Sequence, residues 1–302
     1  MMDKKVLITG GSGLVGSYLT TLLIKKGYRV AWLSSSNTSR SGVITYNWDI
    51  RKNEIDVQAL ENAYAVIHLA GASVADGKWT SKRKKLIIKS RTKSAQLLYE
   101  AMQSEARIPE VFVSASAIGI YPYDQAEALK EEDSKGDHFL AEVSKQWEEA
   151  TDKFAEAGIR TAKFRIGVVL SKDRGALPQI AKPIRYGVGA PIGSGKQMMS
   201  WIDIEDLCNA FIYAIEAESF SGVYNAVTSH PVSNKEMTKT VADVLGKPLW
   251  LPNVPEFVIK SVFGEKAEII LRGQNVSNEK LKGAGFQFKY DDIYKAVEHQ
   301  LD

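Results

Sequence analysis

Glycines recur at three-residue intervals near the start of the chain, at Gly10, Gly13 and Gly16. An apolar run at residues 6–9 precedes them, and a stretch with the apolar spacing of an amphipathic helix follows. A second apolar run at residues 28–33 comes at the distance expected of the next strand. Strand, glycine turn, helix and strand in this order predict a βαβ unit with parallel strands.

Each glycine of such a turn has its own physical role. The first permits a tight turn, the second lets the backbone approach a pyrophosphate, and the third lets the helix pack closely on the strand. The N–H groups at the helix N-terminus then offer a partial positive charge to the phosphates. The alternative is a glycine-rich turn that binds nothing. We predict a dinucleotide site with contacts from Gly10, Ser12, Gly13, Leu14, Val15 and Gly16.

Strands and helices alternate through residue 170. The apolar run at residues 65–70 is continuous, which is typical of a strand buried on both faces of a parallel sheet. The pattern predicts an α/β fold with a Rossmann-type, doubly wound parallel sheet. Further predicted strands lie at residues 43–48, 111–114 and 161–170, and long helices at about residues 81–102 and 139–157.

The pattern changes after this point, where glycines and prolines interrupt the chain and loops are expected. Asp206 is predicted to be the N-cap of a later helix. We predict a Rossmann domain at residues 1–170, to which residues 201–225 return. A smaller C-terminal α+β domain on the substrate side takes residues 171–200 and 226–302.

Composition narrows the function classes. The 302 residues are 44% hydrophobic and 25% charged, as in an ordinary folded protein. A formal net charge of +3 is too small to indicate a nucleic-acid or membrane partner. A single cysteine and the lack of any apolar run near the roughly 20 residues that span a bilayer favour a cytoplasmic protein. The four histidines lack metal-ligand spacing, so we expect no metal site.

The second strand ends in serines where NAD-binding sheets of this type carry an acid for the ribose 2′-hydroxyl. Ser34, Ser35 and Arg40 are able to accommodate a 2′-phosphate instead. We therefore predict NADP as the cofactor, with NAD as the alternative. The alternative for Arg40 is a solvated loop charge. Asp49, after the third strand, is placed at the adenine edge by analogy with other such sheets.

Motifs throughout the chain carry a family resemblance. They include residues 9–16, 68–72, 88–91, 139–143, 165–170, 187–197, 200–206, 222–225, 263–265 and 285–288. With them the chain resembles the extended and atypical short-chain dehydrogenase/reductases, and more closely the NAD(P)-dependent epimerase family proteins that have a C-terminal domain of unknown function. Arg is common in that branch where Ser35 stands. The resemblance implies nucleotide contacts at the glycine loop and at Ser34, Ser35, Leu69, Ala70, Gly71, Arg91 and Val169.

The Tyr-x-x-x-Lys pair of this superfamily is incomplete here. None of the 12 tyrosines has a lysine four residues later, and although Lys145 is present on the expected helix, Ala141 occupies the tyrosine place. Ser116 matches the superfamily serine that hydrogen-bonds a substrate hydroxyl or carbonyl. Tyr121 and Tyr123 follow in the next loop, as a phenol from another direction or as packing residues. The candidate catalytic residues are Ser116, Lys145 and Tyr121.

On the substrate side, Gln197 and Trp201 lie in the segment that lines the pocket of related epimerases and dehydratases. The resemblance implies an NADP-binding oxidoreductase or epimerase-like enzyme for a small hydroxyl- or carbonyl-bearing substrate, of the nucleotide-sugar type. The alternative is a nucleotide-sensing or regulatory protein that has lost catalysis, which the missing tyrosine favours. The sequence leaves the substrate, the reaction direction and the oligomeric state open.

Overall fold

The computed structural model describes residues 4–36 and 38–302. Short 3-10 helices cover Val57–Leu60, Ile118–Ile120 and Gly264–Ala267. The strands are β1 (Lys5–Thr9), β2 (Arg29–Ser34), β3 (Val43–Asp49), β4 (Glu54–Ile55), β5 (Ala63–His68), β6 (Val111–Ala117), β7 (Arg160–Ile166), β8 (Val168–Leu170), β9 (Met198–Met199), β10 (Trp201–Asp203), β11 (Gly222–Ala226) and β12 (Val232–Ser233). The α-helices are α1 (Leu14–Lys25), α2 (Ser81–Ser104), α3 (Phe139–Glu156), α4 (Ala176–Arg185), α5 (Ile204–Glu216), α6 (Asn234–Val244), α7 (Glu256–Phe263), α8 (Glu268–Leu271), α9 (Glu279–Gly283) and α10 (Ile293–Leu301).

Eight strands form one sheet in the order β11-β7-β6-β5-β1-β2-β3-β4. Every pair is parallel except β3 with β4. From β1 the chain moves outward to β2 and β3, and it later returns to β5 on the other side of β1. The strand order therefore reverses between β1 and β5, which is where open α/β sheets bind ligands. The predicted doubly wound Rossmann fold is confirmed.

Successive side chains of each central strand point to opposite faces of the sheet, and the side chains on both faces are apolar. Helices therefore cover both faces. On one face, Ile8 of β1 belongs to the same buried cluster as Leu19 of α1 and Phe211 of α5. On the other, Leu7 belongs to a cluster with Leu98 of α2 and residues of α3. The two layers leave the carboxyl ends of the strands as the edge at which loops form a site.

The C-terminal part has its own apolar cluster, which includes Trp201, Met237 and Val297. Its small sheets pair β8 with β10 in parallel and β9 with β12 in antiparallel orientation. In contrast, α5 packs against α1 and β11 pairs with β7 in the large sheet. The division of the chain into two domains stays a prediction.

Three sequence predictions at this boundary differ from the structure. The strand predicted at residues 161–170 is broken at Gly167, where a Cβ would collide with the carbonyl oxygen of Ser200 as the chain crosses there. The N-cap of α5 is Asp203, whose carboxylate accepts a hydrogen bond from the Glu205 N–H at 2.7 Å. Asp206 lies in the first turn instead. In addition, α4 forms within the stretch predicted to be loops.

Within the described ranges, no helix has the length and apolar character needed to cross a bilayer. The same residues contain no group of three or more His, Cys, Asp or Glu side chains arranged to hold a metal ion. The cellular location stays a prediction.

Candidate functional site

The glycine loop between β1 and α1 forms a cradle in which only Ser12, which is exposed, has a side chain. Gly10 has a φ of +73°, and a Cβ there would lie 3.0 Å from the carbonyl carbon of Leu69. A Cβ at Gly16 would collide with the oxygen of Gly10. The tight turn and the close helix packing predicted for these two glycines are therefore present. Sequence reasoning missed Gly11, where a Cβ would collide with the indole of Trp32.

The start of α1 faces this cradle with its N–H groups uncapped. Gly13 is the N-cap and has no side chain to accept from the first turn, and that turn contains no acidic residue. Such a terminus carries a partial positive charge and N–H groups that a phosphate can bind. Val169 lies near this helix start, and Gly175 lies between the two. A Cβ at Gly175 would be 3.4 Å from the Val169 oxygen and 3.6 Å from Cδ2 of Leu14, the first residue of α1.

The β5–α2 loop forms one wall of the cradle. Thr9 Oγ1 accepts hydrogen bonds from the N–H groups of Leu69 and Ala70, each at 3.2 Å. These bonds hold the two residues against the glycine loop, beside Gly10. A Cβ at Gly71 would lie 2.9 Å from Arg91 Cζ, so the loop passes directly over that guanidinium. The structure thus brings five of the predicted contact residues to one place: Gly10, Leu69, Ala70, Gly71 and Arg91.

Hydroxyl groups and one arginine surround the carboxyl end of β2. Ser34 Oγ lies 3.1 Å from the hydroxyl oxygen of Thr38 and donates to the Ser36 oxygen at 2.9 Å, and Ser35 is exposed. Arg40 reaches back to α1, where Nη1 donates to the Ser17 oxygen at 2.7 Å. The predicted 2′-phosphate residues therefore lie around one corner of the sheet, next to the helix that begins at the cradle.

Asp49 is engaged within its own turn. Its carboxylate accepts the Arg51 N–H at 2.9 Å, and this backbone hydrogen bond is the main cause that lowers the pKa of Asp49. The contact with adenine stays a prediction.

Two of the candidate catalytic residues belong to one buried network. Ser116 Oγ donates to Glu148 Oε1 at 2.7 Å. Arg165 binds both oxygens of Glu148, through Nε at 2.8 Å and Nη2 at 2.9 Å, and its Nη1 donates to the Tyr121 hydroxyl at 2.8 Å. Tyr121 in turn donates to Asn225 Oδ1 at 2.7 Å. A continuous hydrogen-bonded chain thus connects Ser116 to Tyr121 through two residues that sequence reasoning missed.

The network determines what each group can do chemically. Burial raises the pKa of Tyr121 to about 12, and its side chain has no exposed surface. Burial opposes ionisation of Glu148, but its bonds to Arg165 outweigh that effect and hold the pKa of Glu148 below the usual value. Because Ser116 gives its only proton to Glu148, its oxygen can only accept a hydrogen bond from a ligand.

The position on α3 at which the superfamily carries its catalytic tyrosine has no phenol in this chain. Ala141 is fully buried on α3 and has no group that transfers a proton. Lys145 is half-buried one turn further along the helix, three residues before Glu148. Tyr123 stacks on the ring of His138, with centroids 3.8 Å apart, and its hydroxyl is buried without a hydrogen-bond partner in the described part of the chain. The roles of these residues stay predictions.

The two predicted substrate residues differ in their surroundings. Gln197 Nε2 donates to the oxygens of Ile192 and Ile270 at 3.0 and 3.1 Å, which leaves Oε1 buried with no partner among the described residues. Trp201 is fully buried in the C-terminal apolar cluster, and its Nε1 donates to the His230 oxygen at 3.1 Å. The geometry leaves Gln197 with an unused acceptor, whereas Trp201 fills the core.

Taken together, the residues present fit a dinucleotide. A Cβ at Gly10 or Gly16 would press against the backbone that closes the cradle, the helix terminus above it is uncapped, and Arg91 has a buried Nε with no partner among residues 4–36 and 38–302. An anionic ligand is the chemical class that such donors bind.

Comparisons with known proteins agree with this geometry. The family model described as NAD dependent epimerase/dehydratase family matches residues 6–226, and a domain of unknown function, DUF1731, matches residues 254–300. Epimerase family protein YfhF of Bacillus subtilis is 34% identical over 295 residues, which are 97% of this chain and 96% of that protein.

Solved structures show the same likeness. The crystal structure of human epimerase family protein SDR39U1 (isoform 2) with NADPH has a TM-score of 0.86 and 28% identity, and the match covers 98% of both chains. A nucleoside-diphosphate sugar epimerase from Corynebacterium glutamicum has a TM-score of 0.79 and 33% identity, over 99% of this chain and 58% of that one. The chain belongs to the NAD-dependent epimerase/dehydratase family.

Proposed function

We propose that the protein is an NADP-dependent oxidoreductase or epimerase-like enzyme for a small hydroxyl- or carbonyl-bearing substrate, of the nucleotide-sugar type. The observation that carries the proposal is the glycine cradle under the uncapped start of α1, which fits a diphosphate. The similar human protein was crystallised with NADPH. The similar Corynebacterium glutamicum protein is named a nucleoside-diphosphate sugar epimerase, which supports the substrate class.

The preference for NADP rests on the corner at the end of β2. Ser34 and its neighbouring hydroxyls can donate to a 2′-phosphate, and Arg40 supplies a positive charge beside them. No carboxylate stands at the last residue of β2 or in the two that follow, so the repulsion that an acid would exert on a 2′-phosphate is absent there.

In this proposal the bound nicotinamide supplies hydride exchange with a substrate carbon. Ser116 accepts a hydrogen bond from the substrate hydroxyl, because its own proton is held by Glu148. Lys145, three residues before Glu148 on α3, adds a positive charge to the same face of that helix as Glu148. The phenol that usually takes up the hydroxyl proton as hydride leaves has no counterpart at Ala141, so water must accept that proton.

A second candidate function is a nucleotide sensor that binds NADP without turnover. The observation that favours it is the same buried Ala141, together with the full engagement of the Tyr121 hydroxyl by Arg165 and Asn225. The superfamily tyrosine position therefore has no phenol, and the Tyr121 hydroxyl is not free.

One experiment separates the two. Purified protein is titrated with NADPH and NADH by nucleotide fluorescence, then incubated with carbonyl compounds and nucleotide sugars while reduced nicotinamide and sugar products are followed. We expect tighter binding of NADPH and turnover that Ser116→Ala abolishes, with Ser104→Ala at the far end of α2 as the unaffected control. Tight NADPH binding without turnover supports the sensor. Failure to bind either nucleotide overturns both functions.

A further inference from the structure

Residues 255–272 form a flap that is attached to the rest of the molecule at both ends. The flap contains α7, a 3-10 helix and α8. Just before it, the Val254 N–H donates to the Pro191 oxygen at 2.8 Å. Just after it, the Gly273 N–H donates to Asp124 Oδ1 at 2.9 Å, and the Asp124 N–H donates to the Gly273 oxygen at 2.8 Å. Backbone hydrogen bonds therefore fix both ends of the flap.

The middle of the flap is loosely packed. Phe257 is 73% exposed and Val262 is 62% exposed, and α8 contains no buried residue. A cavity of about 400 Å³ is lined by residues of the flap alone, from Glu256 to Arg272. Segments with few buried apolar contacts open locally at a low cost in free energy. The middle of the flap can therefore move while both of its ends stay attached.

Lysine side chains hold the middle of the flap against the Rossmann half of the chain. Glu265 forms an ion pair with Lys84, which lies near the start of α2. Lys266 Nζ donates to the oxygen of Ala75, in the β5–α2 loop, at 2.6 Å. The side chains of Lys84 and Glu265 are 29% and 47% exposed, and ion pairs in contact with water contribute little stability. These contacts can therefore break and re-form while the protein stays folded.

The flap spans the space at the carboxyl ends of β5 and β6. Ala75 lies in the loop after β5, four residues beyond Gly71 in the wall of the glycine cradle. Asp124 lies in the loop after β6, the strand that carries Ser116. Because β5 and β6 are neighbours in the sheet, a segment bound to both loops crosses the space between them. The proposed function puts the cofactor next to the substrate in that space.

We propose that residues 255–272 are a lid that opens to admit NADPH and closes over it, with the ion pair between Lys84 and Glu265 as its latch. This inference rests on the proposed nucleotide binding, and it gives a role to the first part of the segment matched as a domain of unknown function. The latch acts without contact to the nucleotide. Weakening it favours the open lid equally before and after binding, so association and dissociation both become faster while Kd is unchanged.

The test measures both rate constants by stopped-flow NADPH fluorescence on Glu265→Lys, in which repulsion from Lys84 replaces the ion pair. Displacement by excess NADP⁺ gives the dissociation rate constant. We expect both rate constants to rise about fivefold, as for the loss of a strong exposed ion pair, and Kd to change by less than about twofold. Glu61→Lys is the control, because it makes the same charge change in an ion pair with Arg107 whose side chains are similarly exposed, 51% and 30%. Glu61 lies before the start of β5, at the opposite edge of the sheet.

The double variant Lys84→Glu with Glu265→Lys exchanges the two charges and should return both rate constants to those of the unmodified protein. Rate constants that Glu265→Lys leaves unchanged overturn the inference while nucleotide binding itself stands. Faster dissociation with unchanged association also overturns it, because the pair then stabilises the bound nucleotide without controlling its entry. A double variant as fast as Glu265→Lys excludes the ion pair as the latch. If the unmodified protein binds no NADPH, the proposed function fails instead.

Discussion

His68 Nδ1 lies 2.8 Å from Thr9 Oγ1, the hydroxyl oxygen that accepts the N–H groups of Leu69 and Ala70. Because Thr9 Oγ1 already accepts two hydrogen bonds, its proton is directed to Nδ1. The imidazole is therefore neutral with its proton on Nε2, which faces Ser94 Oγ at 3.2 Å. A fully buried histidine thus fixes the backbone wall of the nucleotide cradle.

The first prediction concerns acid stability. Burial lowers the pKa of His68 to about 3, while an unfolded histidine titrates near 6.5. The contribution of His68 to stability is complete at pH values above its pKa in the unfolded chain. It is lost as the pH falls toward its pKa in the folded protein, because the unfolded chain takes up a proton that the folded one excludes. Lowering the pH from 7 to 4.5 should therefore reduce the free energy of unfolding by about 3 kcal/mol through His68.

Urea unfolding at the two pH values measures this loss. His68→Asn keeps an acceptor for Thr9 and cannot titrate, so its loss between pH 7 and pH 4.5 should be smaller than that of the unmodified protein by about the same 3 kcal/mol. If the variant loses as much stability in acid as the original chain, His68 does not stay neutral in the folded state.

The second prediction concerns the third glycine of the loop. Gly16→Ala places a methyl group against the Gly10 oxygen, where neither backbone segment can move without changing the turn. We expect a loss of about 1–3 kcal/mol in unfolding free energy and at least about a tenfold weaker NADPH affinity. Gly283→Ala is the control, since nothing lies within 4 Å of a Cβ there. NADPH affinity that survives Gly16→Ala would mean that the nucleotide does not use this turn.

The third prediction concerns nucleotide choice. Arg40→Gln removes the positive charge next to the β2 hydroxyls, and NADPH affinity should fall by about tenfold while NADH affinity is unchanged. Arg51→Gln is the matched control, because the Arg51 side chain is 91% exposed and lies in the turn after β3. Fluorescence titration with each nucleotide gives the ratio. An equal loss for NADPH and NADH would assign Arg40 to the stability of α1, where it binds Ser17.

Local patterns predicted much of the Rossmann half. Gly16 is required by its backbone contact with Gly10 and Gly11 within the turn itself, and Gly10 takes a positive φ in the same turn, so their spacing alone indicates the geometry. The continuous apolar run at residues 65–70 likewise indicates a central strand, because burial on both faces requires it. These constraints act between residues close in sequence, where periodicity is informative.

Contacts between distant residues could not be predicted in this way. Ser116 finds its partner on another element, at Glu148, and no spacing rule relates the two. The segment of Trp201 predicts a place in the substrate pocket, and the packing that buries Trp201 in the C-terminal apolar cluster is not visible in that segment; its contact with substrate stays a prediction. The cap of α5 at Asp203 depends on where β10 ends, which its pairing with β8 determines.

The fourth prediction concerns the buried pair behind Ser116. Glu148 and Arg165 have side chains only 4% and 3% exposed, so removing one charge leaves the other buried and unpaired. Glu148→Gln should lower the unfolding free energy by about 3–5 kcal/mol, and the double variant with Arg165→Met should recover most of that loss.

Glu256→Gln provides the contrast in the same urea assay. It breaks an ion pair whose side chains are 61% and 52% exposed, and it should cost less than about 1 kcal/mol. Because a buried charge is destabilising mainly when its partner is missing, recovery in the double variant is the decisive measurement. A double variant as unstable as Glu148→Gln would show that the loss comes from the hydrogen bonds of Ser116 and Tyr121 and not from an unpaired arginine.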